Sequence, residues 1–203
     1  MLGVAVSASP ALADEGGQAA PDSTAPAQTE AAPAPAPADS TDPANGGTEY
    51  GDDAATTTPI VAGYTAKILS NGLAAAPSGA PATVQRAIWT ANQIIGRPYV
   101  YGGGHNAKFR SAGYDCSGTV SYALHGGGLL SSPLDSSSFM KWGRRGRGAW
   151  MTIWTNPGHA FLIIAGIRLD TSPAGDPSGL RGPRWRPVAR VTRGFHARHP
   201  LGF

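Results

Sequence analysis

Between Asp14 and Thr58 the chain holds almost nothing with which to build a core: Tyr50 is the only large apolar or aromatic side chain in a run of Ala, Pro, Thr, Asp and Gly. Such a stretch cannot bury enough surface to offset the entropy of ordering it, so it reads as a disordered linker, semi-extended where Ala and Pro alternate. Any fold must come from the residues beyond Thr58. Charge divides at nearly the same place. Nine acidic residues and no Lys or Arg precede Ala62, whereas all sixteen Lys and Arg and only four acids come after it. The formal charge of +3 therefore conceals a segment of about −9 and a remainder of about +12.

A surface that cationic suits an anionic partner, with anionic polymers of the cell wall among the candidates. Nucleic acid is the weakest of these, because the basic residues are interleaved with Gly and Pro and no recognition motif accompanies them. No stretch approaches the ~18 apolar residues that a spanning helix needs, so stable membrane insertion is not expected. Residues 1–13 are small and apolar and end in Ala11-Leu12-Ala13 before Asp14-Glu15, which reads as a signal segment and its cleavage site. They lack a basic leading region, as if the true start lay upstream. The expected organisation is a truncated signal segment over 1–13, a linker over 14–58, an extension over 59–80 and a catalytic domain over 81–203. A monomer is expected.

Val84, Ile88, Ala91 and Ile95 recur at helical spacing, with Gly96 and Pro98 as stops, which predicts a helix of about four turns. The glycines of Gly102-Gly103-Gly104-His105 read either as a phosphate loop of the wrong spacing or as a tight backbone passage beside a site. Asp115 is placed to cap a second helix whose buried stripe is Val120, Ala123 and Leu124, which puts Cys116 in its first turn. Alternation predicts a strand over Trp150–Trp154, a second opening at His159 and a third over Ile167–Thr171. Together they make an antiparallel meander, and one further strand is placed near Val188–Val191.

Cys116 is the only cysteine, so it forms no disulfide within the chain. A thiol at the start of a helix becomes a better nucleophile, because the helix dipole favours the thiolate and free backbone N–H groups can hold an oxyanion. It needs a histidine base, itself oriented by a third polar group. If Ala165-Gly166 is a two-residue turn, Ile164 faces Ile167 and Leu162 faces Leu169. His159, Phe161, Asp170 and Ser172 then share one face, with Asp170 diagonal to His159 and Ser172 as the alternative third residue. A slip of one residue would send Asp170 to the opposite face. His105, His125, His196 and His199 are rival bases. No ligand spacing such as C-x-x-C or H-E-x-x-H is present, so neither a metal nor another cofactor is expected.

Arg97-Pro-Tyr-Val-Tyr-Gly-Gly103, Asp115-Cys-Ser-Gly118 and His159-Ala-Phe-Leu-Ile-Ile164 together resemble the PYxWGG, DCSG and HVGIYIG segments of the NlpC/P60 family, papain-like cysteine peptidases of bacterial cell walls. The resemblance runs from about Ala82 to Ser172. It implies an α+β fold of papain-like type, with a helical layer carrying the nucleophile packed on an antiparallel sheet. It also implies Cys116 as nucleophile, His159 as base and Tyr99 as a hydroxyl near the oxyanion. Asp115 and Ser117 would line the pocket for the amine of a peptidoglycan stem peptide. Two departures stand out. Tyr101 replaces the usual Trp, and Asp170, eleven positions after His159, stands where the family usually has a second His at about twelve. The family's PGDLVFF strand is replaced by Gly148–Trp154, whose Trp150 and Trp154 would either pack or stack on a glycan. The implied function is hydrolysis of a stem-peptide amide by an exported peptidase. Its alternatives are a wall-binding module without activity and an acyltransferase that uses the same Cys-His pair.

Overall fold

A computed structural model of the chain describes residues 58–203, so the expectations for 1–13 and for the linker up to residue 57 lie outside the described residues. The described chain is of mixed α and β composition, with two helices of three turns and mostly antiparallel strands. The strands β1 (Ile60–Val61), β2 (Lys67–Ile68) and β3 (Ala74–Pro77) form a small sheet in the order β1-β3-β2. Its buried part is not the Ile and Tyr side chains that stand out in the sequence, since Ile60 and Tyr64 are exposed, but Ala74, Ala75 and Ala76. Three small residues in a row let the backbone of β3 lie close against helix α1 (Ala82–Asn92).

Helix α1 buries Val84, Ala87, Ile88 and Ala91, as the apolar spacing requires, but it is one turn shorter than the pattern predicts. After Asn92 the N–H groups of Gln93, Ile94 and Ile95 bond three residues back instead of four. Asn92 itself is taken up by tertiary bonds: its amide holds both backbone groups of Ala74 at 2.9 Å and accepts from the Trp185 indole at 2.7 Å. This buried knot ties α1 to β3 and to the far edge of the main sheet, and it satisfies every polar atom it buries.

Helix α2 (Cys116–Gly126) lies beside α1, and a single-turn helix α3 (Ser136–Phe139) follows. The main sheet is antiparallel throughout, in the order β4-β9-β5-β6-β7-β8. Its strands are β4 (Arg144–Arg145), β5 (Met151–Asn156), β6 (His159–Ile164), β7 (Ile167–Asp170), β8 (Arg184–Arg186) and β9 (His196–His199). The meander expected from the sequence is its centre, in the expected register: Leu162 pairs with Leu169 and Ile164 with Ile167. Ala165 and Gly166 turn the chain with φ of 45° and 83°, the left-handed pair that suits a two-residue hairpin. The helices cover one face, where Val120, Leu124, Ile153, Leu162, Ile164 and Leu169 form a single core.

The third strand ends at Asp170 rather than Thr171, and two further strand expectations change. β5 begins at Met151 rather than Trp150 and runs on to Asn156, pairing with all of β6. No strand forms at Val188–Val191: Val188 and Val191 are exposed, and the segment follows Pro187, which has no N–H to give a ladder. The closing strands are instead β8, where Trp185 packs opposite Leu169, and β9, which inserts between β4 and β5. Trp154 is buried beneath Arg147, whose guanidinium lies 5.2 Å from the ring centroid, and Trp150 packs against the core. Packing therefore accounts for both tryptophans.

Candidate active site

The surroundings of Cys116 are built from two neighbouring stretches. Asp115 caps α2, its Oδ1 accepting from the Gly118 N–H at 2.7 Å, so Cys116 is the first helical residue with the positive end of the helix behind it. The loop after Pro98 is lashed alongside: Val100 N–H donates to Tyr114 O, Tyr114 N–H to Pro98 O and Asp115 N–H to Gly103 O. The glycine run is thus the tight passage, not a free loop. Gly118 shows why glycine is needed, since a Cβ there would lie 2.0 Å from the Gly103 carbonyl oxygen.

That passage delivers a residue which the sequence offers only as a rival base. His105 Nε2 lies 3.0 Å from Asp115 Oδ1 and 3.2 Å from Ser117 Oγ, while Asp115 Oδ2 accepts from the Gly102 N–H at 3.0 Å. Ser117 Oγ also bonds Asp115 Oδ1 at 3.2 Å. Asp115 and Ser117 are therefore members of a network with His105. The three line a cavity of about 480 Å³ with Tyr99, Cys116 and Asp135. The signal in the sequence is position: His105 directly follows the glycines of a segment already placed beside Cys116. His125, by contrast, stacks on Phe109 and bonds Leu130 O, and His196 and His199 lie on β9.

The surroundings of His159 are assembled on the sheet. His159 opens β6, and its Nε2 lies 2.9 Å from Oδ1 of Asp170 on β7, which leaves Nδ1 as the ring nitrogen free to serve the thiol. Asp170 rather than Ser172 is the side chain bonded to His159, and Ser172 donates its N–H to the same Oδ1 at 2.9 Å. Asp170 is fully buried, and its other oxygen is held by cations the sequence does not point to. Arg190 Nη1 donates to Oδ2, and Arg168 Nη1, on a side chain with no exposure at all, lies 3.4 Å from it. Arg186 Nε donates to the Asp170 carbonyl at 3.2 Å. Arg190 is in turn held between Phe161 and Phe195, 4.7 and 5.5 Å from their centroids.

These contacts set the protonation states. Burial pushes the Cys116 thiol up, but the hydrogen bond and charge of His159 and the Ala160 N–H outweigh it, leaving the thiol below its ordinary value. Burial pulls His159 down; its bonds to Asp170 and Cys116 win and raise it to about 9. Tyr99 is pushed up, first by burial and then by the negative charge that Cys116 and Asp115 can carry, so it keeps its proton and remains a donor between the two halves. The arrangement favours a thiolate beside an imidazolium, with a phenol and helix N–H groups at hand for an oxyanion. Among the described residues no group of three His, Cys, Asp or Glu is placed to hold a metal ion, and no helix is long and apolar enough to cross a membrane.

No family model matches the chain, and no curated protein matches it in sequence.

Proposed function

We propose that the chain is a cysteine peptidase of NlpC/P60 type, papain-like in arrangement, that hydrolyses an amide bond in the peptide stem of peptidoglycan. The observation that carries this reading is the line Cys116, His159, Asp170: a thiol at a helix start, and an imidazole fixed 2.9 Å from a buried carboxylate so that its other nitrogen serves the thiol. In the proposed reaction Cys116 Sγ attacks the amide carbonyl, and the tetrahedral oxyanion is held by N–H groups at the start of α2 with the Tyr99 hydroxyl. His159 gives its proton to the leaving amine. Water, deprotonated by the same imidazole, then releases the acyl group from sulfur and restores the pair. Asp115, Ser117 and His105 face the acyl side, where they suit a substrate amine. No cofactor enters. Export, a wall location and attraction to anionic wall polymers belong to the same proposal, the last supported by the excess of Lys and Arg after Ala62.

The test is digestion of purified peptidoglycan by the full chain beside Cys116→Ala, with soluble fragments identified by mass. Stem-peptide fragments that appear with the wild type and not with the variant are expected. No fragments from any wall, together with a thiol inert to iodoacetamide near neutral pH, would overturn the reading and leave a wall-binding module. Transfer of the acyl group to an added amine in preference to water would make it an acyltransferase.

A further inference from the structure

Two cavities flank the Cys116–His159 pair, and their linings are chemically opposite. The one that Cys116 lines contains the carboxylates of Asp115 and Asp135. The other, of about 450 Å³, is lined by His159, Tyr99, Thr171, Ser172, Pro173, Ala174 and Arg181 and contains no carboxylate. Every polar side chain on that wall can donate a hydrogen bond.

Ser172 Oγ accepts from Ala174 N–H at 3.3 Å, which leaves its own proton to give. Arg181 is exposed and makes no ion pair among the described residues, whereas Arg168, Arg186 and Arg190 are each paired with Asp170 or Asp176. Its backbone is nevertheless fixed. The next residue, Gly182, donates its N–H to Thr171 O at 3.0 Å and, at φ +88°, packs so closely that a Cβ would lie 2.3 Å from Arg97 O. The backbone that carries Arg181 is thus fixed beside Thr171, and Arg181 lines the cavity.

We propose that Arg181 and Ser172 form a subsite for a carboxylate of the substrate, on the leaving-amine side of the scissile bond, and that Arg181 is the specificity-determining residue. The side follows from His159, which lines this cavity and must reach the leaving nitrogen; this assignment rests on the peptidase reading. The substrate class is then a peptide carrying a free carboxylate on its leaving part. A guanidinium with a hydroxyl donor beside it matches a planar anion that can accept a bidentate bond.

The test uses two synthetic stem-like peptides that differ only in a carboxylate or carboxamide on the leaving part. With the full-length wild type, kcat/KM for the carboxylate is expected to exceed that for the amide by about 10- to 100-fold, the range of a charge-assisted hydrogen bond. Arg181→Gln should bring the two to near parity by lowering the carboxylate peptide selectively. Equal cleavage of both by the wild type, or equal losses on both in Arg181→Gln, would overturn the subsite while leaving the peptidase reading intact. If neither peptide is cleaved, the peptidase reading fails, and calorimetric titration of Cys116→Ala with the two peptides decides the subsite alone. Tighter binding of the carboxylate that disappears when Arg181→Gln is added supports it, and indifference to the carboxylate refutes it.

Discussion

The two arms of the site are held in place by different means. Cys116 is held by its neighbours in sequence: Asp115 caps its helix, Gly118 allows the close backbone passage, and the loop from Pro98 to His105 lies within twenty residues of it. His159 depends on residues drawn from the rest of the sheet and the chain beyond it, with Asp170 on β7 and the guanidinium of Arg190 from a segment that forms no strand. A local arm separates function from stability. A long-range arm joins them, because the carboxylate that orients His159 is also the counter-ion of the fully buried Arg168.

The largest expected effect exposes that separation. Cys116→Ala should lower kcat/KM by at least about a thousand-fold and shift the free energy of urea unfolding by no more than about 1 kcal/mol. Asp170→Ala should fail on both counts, with a loss of activity of about 10²- to 10⁴-fold and of stability of about 3–5 kcal/mol, since it leaves buried arginines without their charge partner. An Asp170→Ala variant that lost activity but kept its unfolding midpoint would break the comparison. Gly118→Ala, on the local arm, forces a methyl against the Gly103 carbonyl and should cost about 1–3 kcal/mol. The smallest effect is one of pH. His159 is raised from 6.5 to about 9 in the folded chain, so its contribution to stability is fully present below about 6.5 and fades as pH rises through about 9. Thermal unfolding followed across that window should show the decline in the wild type and lose it in Asp170→Ala.

The difference between the arms also explains what is legible in the sequence. The helix start at Asp115-Cys116, the two-residue turn at Ala165-Gly166 and the register that sets Asp170 diagonal to His159 all depend on residues close in sequence, and they can be read there. The apolar spacing makes helix α1 one turn too long because it does not show that Asn92 is claimed by Ala74 and Trp185. Arg168, Arg181 and Arg190 are invisible as site residues in the sequence. Arg181 and Arg190 sit in Gly- and Pro-rich loops without periodicity, Arg168 lies on β7 with nothing in the alternation to mark its charge as buried, and a charge count registers all three only as surface cations. His105 stands in the sequence as one histidine among several, since its partners Asp115 and Ser117 lie ten and twelve residues away across the glycine passage.

Everything proposed for the site rests on a thiolate–imidazolium pair between Cys116 and His159. The rate of Cys116 alkylation by iodoacetamide as a function of pH, read by intact mass on the full chain, probes that pair without any substrate. Substantial reaction is expected already near neutral pH, because the thiol lies below its ordinary value, with a second step as His159 loses its proton near 9. In Asp170→Asn the rate at neutral pH should fall. A single rise at or above the ordinary thiol value of 9.0, the same in wild type and Asp170→Asn, would contradict the pair.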